Sequence, residues 1–194
     1  MGLPVTFSFD PLCPWTWRTS RWLVLVAPER DLDVEWRSFS LLLLQGDGVP
    51  DQYRAPLETA RDCLRLVEAL QVEGRNADAG RLYAEVGVRV HDEGRTLTRE
   101  LLVEAAESAG LTDRLDALDD APLDEAVRRS HDAAWAAAGP DIGSPVLQVG
   151  GAERGLHGPI LGEVPPLEQS LSIWDSVQSL VGCHAFFEVK RGRP

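Results

Sequence analysis

Lysine is almost missing from this chain: it occurs once, at Lys190, against eighteen arginines, and asparagine also occurs once, at Asn76. That scarcity points to a coding sequence rich in G and C, as in a high-GC bacterium. Positive charge is short overall, because 19 basic side chains face 31 acidic ones and leave a net charge of −12 at pH 7. A surface of that sign repels phosphate backbones, so no nucleic-acid partner is expected. Apolar runs are short. Leu23 to Ala27 and Leu41 to Leu44 fall far below a membrane span, and no membrane association is expected. Cysteine is sparse and odd in number, with Cys13, Cys63 and Cys183 far apart, which suits free thiols in a reducing cytoplasm. The first residues carry no basic segment followed by an apolar stretch, and a cytoplasmic location is expected. His91, His131, His157 and His184 lack metal-ligand spacing, so no metal cofactor is expected. What remains is 44% apolar content over 194 residues, enough for one proper core.

Val5 to Phe9 alternates as a half-buried strand, and Asp10-Pro11 ends it. The next residues, Leu12-Cys13-Pro14-Trp15-Thr16-Trp17, read as a helix start with Cys13 as N-cap. Pro14 takes the first helical position, where its missing N–H costs nothing, and Leu12 and Trp17 hold the two places of a hydrophobic staple. The helix is expected to end near Pro28. Val34, Trp36 and Phe39 mark a second strand, and the strand-helix-strand order implies a parallel pair with a right-handed crossover.

From about Asp51 to Gly139 the spacing is helical: Leu57, Ala60, Leu64 and Val67 recur on one face, and Thr98 opens a later helix. Gly110 and Gly139 read as stops, and the acidic stretch Asp113 to Glu125 as a solvated helix-turn-helix surface. Gly143 to Val149 returns to strand composition, with Gly150-Gly151 as a tight hairpin into a strand from Arg154 to His157. Leu167, Leu171, Trp174, Val177 and Leu180 or Val181 build a closing amphipathic helix, and a loose basic tail covers 190–194. The order is βαβ, a helical insertion, then ββα, with expected boundaries 1–48, 49–140 and 141–194. Leu and Val in the insertion leave room for a homodimer face without requiring one.

A Cys-Pro-Trp turn opening the first helix and Ser144-Pro145 opening the third strand resemble the DsbA-like branch of the thioredoxin superfamily. The chain is more closely similar to the actinobacterial mycothiol-dependent nitroreductase family. That likeness rests on Phe9-Asp10-Pro11-Leu12-Cys13-Pro14-Trp15, Thr19-Ser20-Arg21-Trp22, Arg89-Val90-His91, Arg129-Ser130-His131, Gly143-Ser144-Pro145, Gly158-Pro159 and Phe186 to Arg191. It implies an α/β thioredoxin-like fold with an all-helical insertion. Dithiol members of the family carry Cys-Pro-Trp-Cys, whereas this chain has Thr16 in place of the second thiol, which rules out an internal active-site disulfide. Kappa-class glutathione transferases and 2-hydroxychromene-2-carboxylate isomerases resemble the same architecture but have serine where this chain has Cys13.

A helix N-terminus lowers a cysteine from about 8.5 to between roughly 3.5 and 7.5, so Cys13 is expected to be largely ionised at neutral pH. The hydroxyl of Thr16 and the amides of Trp15 and Thr16 point at the sulfur. The resemblance further implies a cis peptide between Ser144 and Pro145, packed against Cys13, whose Ser144 backbone pairs with a bound thiol. It also places Pro14 and Trp15 at the mouth, where Trp15 stacks on a flat substrate. Trp17, Trp22, Trp36, Trp135 and Trp174 are expected in the core, with Cys63 and Cys183 as small apolar fillers. His91 and His131 are expected to be satisfied structural histidines.

The implied activity is a thiol-dependent oxidoreductase. Cys13 forms a mixed disulfide with a low-molecular-weight thiol, mycothiol in an actinobacterium, and acts on a disulfide or on a nitro- or quinone-type electrophile. Two rivals stand beside it: a kappa-like transferase or isomerase that activates a bound thiol, and a non-catalytic DsbA-like binding module.

Overall fold

The structure, a computed structural model, describes residues 2–192. Strand β1 (Leu3–Phe9) forms where Val5, Phe7 and Phe9 alternate, and all three are buried. It pairs in parallel with β2 (Leu32–Ser38), Phe7 opposite Trp36, and antiparallel with β3 (Val146–Val149), Phe7 opposite Leu147. A two-residue β4 (Leu156–His157) completes the order β2-β1-β3-β4.

The tight turn expected at Gly150-Gly151 forms, with φ of 63° and 71° at its two glycines and the Ala152 N–H donating to the Val149 carbonyl at 3.1 Å. Strand pairing does not continue straight from that turn: Leu147 pairs with Leu156, so residues 150–155 make a wider loop than a two-residue hairpin. Two hydrogen bonds pull it open: the Gly150 N–H donates to the Pro4 carbonyl of β1, and the Gly155 N–H donates to the Ala137 carbonyl.

Helix α1 (Pro14–Val26) stops two residues before Pro28, which starts a single 3-10 turn. The Leu41 run is a short helix, α2 (Leu41–Gln45), whose N-cap Ser40 accepts a hydrogen bond from the Leu43 N–H at 3.2 Å. The helical stretch contains α3 (Asp51–Val72), α4 (Asn76–Gly87), a π turn (Val88–Asp92), α5 (Arg99–Ser108) and α6 (Asp124–Ala138). Its acidic segment is two 3-10 pieces, Thr112–Asp119 and Ala121–Leu123, rather than a helix-turn-helix. Arg114 leaves helical geometry at φ −130°, and Pro122 removes an amide donor. The closing helix α7 (Leu167–Val181) follows its expected spacing. The tail expected over 190–194 lies outside the described residues at 193–194. Among the described residues, no helix is long and apolar enough to cross a membrane.

Helices α3, α4 and α6 pack on β2, and α7 packs on α1 and β3. The aromatic residues join these layers. The Tyr83 ring of α4 stacks on Phe9 with centroids 3.9 Å apart, and Trp36 meets Phe7 edge-on at 5.5 Å. Across the molecule, Trp22 lies 6.0 Å from Trp174 and donates its indole N–H to the Ser170 carbonyl. Trp135, expected in the core, is only half-buried. The indole of Trp17 lies over Gly87, where any Cβ would collide with it.

The outer edge of β2 is closed by the chain's one asparagine. Asn76 accepts from the Trp36 N–H at 2.9 Å and donates to the Val34 carbonyl at 2.7 Å, taking the place of a neighbouring strand.

Candidate active site

Pro14 can occupy the first position of α1 because that residue's amide has no intrahelical partner, which makes Cys13 the N-cap. The Cys13 S–H donates to the Ser144 carbonyl at 3.6 Å, and the Ser144–Pro145 peptide is cis. Thr16, one turn into α1, donates its hydroxyl to Ser144 Oγ at 2.8 Å and also lies in hydrogen-bonding reach of the Cys13 sulfur. The fold therefore brings Cys13, Thr16, Ser144 and Pro145 together. Pro14 is exposed and Trp15 half-buried at the rim, with the Arg18 guanidinium 5.2 Å from the Trp15 ring.

The expectation of a thiol acidified by its helix start does not hold in this arrangement. Cys13 is 7% exposed, and burial pushes its thiol above the ordinary range. Against burial stand the Thr16 hydroxyl and the Thr16 and Trp15 amides, while Asp10 adds to the rise. Loss of solvation outweighs three donors because the charged form suffers most from burial. A hydroxyl has one proton. In the thiol state Thr16 gives it to Ser144, and turning it to the sulfur favours the thiolate.

Asp10 is the site residue that sequence reasoning missed: it reads there as the end of β1 and as part of the family motif, with no role at the sulfur. It is 1% exposed. Its Oδ1 accepts from the Leu12 N–H at 2.8 Å and its Oδ2 from the Leu41 N–H at 2.7 Å, tying the active-site turn to α2. Its own N–H donates to Ser144 Oγ at 3.0 Å. Burial raises its carboxyl to about 6 despite the two amides. The available signal was Asp two residues before Leu12, the spacing of an Asx turn.

His91 also reaches the site: its Nε2 lies 2.9 Å from the Pro11 carbonyl, and burial keeps the ring below the ordinary imidazole range. His131 is structural, accepting the Ser40 N–H on Nδ1 at 3.2 Å. Cys63 is buried as expected, but Cys183 is exposed because it follows the end of α7.

Residues 12–191 match the Rv2466c-like family, described as mycothiol-dependent nitroreductase Rv2466c. The chain belongs to that family. Membership places it among thiol-dependent oxidoreductases, in a family named for a small thiol. One relative is the uncharacterized protein Rv2286c of Mycobacterium tuberculosis (strain ATCC 25618 / H37Rv), 30% identical over 96% of this chain and 81% of its own length. The fold is that of DsbA-like proteins. The crystal structure of the probable DsbA oxidoreductase SCO1869 from Streptomyces coelicolor matches with a TM-score of 0.62 and 20% identity, over 97% of this chain and 93% of that one. The cytosolic disulfide reductase DsbM from Pseudomonas aeruginosa matches with a TM-score of 0.59 and 19% identity, over 91% and 100% of the two chains.

Proposed function

We propose that this member of the Rv2466c-like family works with one protein thiol and a small thiol co-substrate, mycothiol by its family, in a reducing cytoplasm. The observation that carries this reading is the Cys13 sulfur set 3.6 Å from the Ser144 carbonyl beside cis Pro145, with a hydroxyl at Thr16 instead of a second sulfur. The chemistry begins with ionisation. At rest, burial keeps the thiol protonated and guarded from oxidation. When a ligand or solvent opens the sulfur, the burial penalty goes while the Thr16 hydroxyl and the Thr16 and Trp15 amides stay, and the thiolate forms.

The thiolate attacks the small-thiol sulfur of a mixed disulfide between that thiol and a substrate, a new S–S bond forms to Cys13, and the substrate sulfur leaves with the electron pair. A second small thiol then displaces Cys13, so the substrate disulfide is reduced and the two small thiols end as a disulfide. Nitro- and quinone-type electrophiles are the alternative acceptors of the same two electrons. The Ser144 main chain beside Pro145 is an edge on which an extended thiol can pair.

One feature favours a second reading, a transferase or isomerase of kappa type. A Cys13 held neutral, beside the Thr16 hydroxyl, can donate hydrogen bonds to the sulfur of a bound thiol instead of attacking. In a Cys183→Ser background, incubation with oxidised mycothiol followed by mass spectrometry tests the first reading, which expects one adduct mapped to Cys13 and none when Cys13→Ser is added. An unmodified Cys13, together with turnover that survives Cys13→Ser, would establish the second instead.

A further inference from the structure

A cavity of about 170 Å³ lies against the active-site turn. Pro14, next to Cys13, is at its rim, and Trp17, Arg18 and Arg21 continue the same face of α1 into it at helical spacing. His91 and Asp92 of the π turn close the second side, and Val164 of the loop before α7 closes the third. At about 30 Å³ per liquid water, the space equals about five or six waters, well below a drug-sized pocket of about 300 Å³ or more. It suits one flat group rather than a nucleotide or a disaccharide.

The charges in this cavity are unusual for this molecule. The net charge is −12, and many described arginines end on a carboxylate, as Arg65 does on Asp124 and Arg89 on Glu104. Among the described residues, neither Arg18 nor Arg21 has a carboxylate within 4.0 Å. Both rest instead on aromatic faces, the Arg21 guanidinium 4.2 Å from the Trp17 ring and that of Arg18 5.2 Å from Trp15. The one acid facing the cavity, Asp92, already accepts the Trp17 indole N–H at 2.8 Å. His91 bonds to the Pro11 carbonyl and is held toward its neutral form by burial. The cavity therefore carries two positive side chains and one negative, with flat apolar walls. Burial also draws the Arg21 guanidinium down from its usual range, against the opposing pull of Asp92.

We propose that this cavity is a subsite for the carboxylate of a planar, carboxylate-bearing electrophile, which Arg18 and Arg21 clamp while its reactive sulfur or ring faces Cys13. Guanidinium forks match a carboxylate in two parallel hydrogen bonds, and the stacked indoles hold them flat. The proposal rests on the reading of Cys13 as the attacking thiol and names the class of molecule it attacks.

Two aryl disulfides test it in a Cys183→Ser background: dithiobis(nitrobenzoate), which has a carboxylate on each ring, and neutral dipyridyl disulfide. Each reacts by the same balanced step. The Cys13 thiolate forms a bond to one sulfur, the S–S bond breaks, and an aryl thiolate leaves with the electron pair. The readout is the ratio of the two second-order rate constants, charged over neutral, with the modified residue mapped. Arg18→Gln and Arg21→Gln should each lower that ratio about tenfold, as loss of one charge-assisted contact does, and Arg18→Lys should restore most of it. A ratio that stays within about twofold of the parent in both Gln variants overturns the proposal. Absence of label on Cys13 from either reagent overturns the reading of Cys13 itself, and this proposal with it.

Discussion

Replacing Asp10 by asparagine isolates the electrostatics of the site. The Asp10 carboxylate has two amide donors, at 2.8 and 2.7 Å, and no cation paired with it among the described residues, and burial lifts it from 3.8 to about 6. A tenfold change in proton affinity corresponds to about 1.4 kcal/mol, so the ionised group costs the folded state roughly 3 kcal/mol relative to the protonated one. The sign follows from proton binding. Between pH 4 and pH 6 the folded protein holds a proton that the unfolded chain has released, so this group's contribution to stability is complete below about 3.8 and is lost as pH rises through 6.

Asparagine keeps the shape without the titration. In urea unfolding followed by tryptophan fluorescence, the stability of Asp10→Asn relative to the parent should therefore rise by about 2.4 kcal/mol from pH 4 to pH 7.5. Taking the difference cancels the groups common to both proteins. A difference that is flat in pH, or that runs the other way, refutes the claim that burial outweighs the two amides. The same substitution removes a negative charge that pushes the Cys13 thiol up, so Cys13 should react faster with iodoacetamide at pH 8.

The alkylation rate of Cys13 in the resting protein should still climb above pH 9, since burial raises this thiol, and a plateau near pH 7 would contradict the closed site. Thr16→Val should slow that alkylation at any fixed pH and lower stability by about 1 kcal/mol, the usual worth of one buried hydrogen bond, whereas Thr16→Ser should keep both. Gly87→Ala forces a methyl into the Trp17 indole and should cost about 1–3 kcal/mol by overpacking, seen as a lower urea midpoint.

The parts of this fold legible in the sequence are those written in local chemistry. Alternation at Val5, Phe7 and Phe9, proline at the start of α1, Thr98 as an N-cap and the Trp174 face of α7 each carry their own signal. The bonds that open the loop after β3 were not legible, because the Gly155 N–H finds its partner on Ala137, at the end of a helix in another part of the fold. The same holds at the site. Cys13, Thr16, Ser144 and Pro145 were identifiable from motif and resemblance, yet the balance between donors and burial at the sulfur depends on what covers it in three dimensions. Asp10 escaped because its two partners, Leu12 and Leu41, are brought together only by the turn between β2 and α2.

Asn76 gives the sheet a direction of growth. With the Trp36 N–H and the Val34 carbonyl already engaged by one amide side chain, a foreign peptide gains nothing by lying alongside β2. The sheet's opposite border is the two-residue β4, one strand beyond the β3 that cis Pro145 precedes. Strand addition at β2 would first have to displace that side chain.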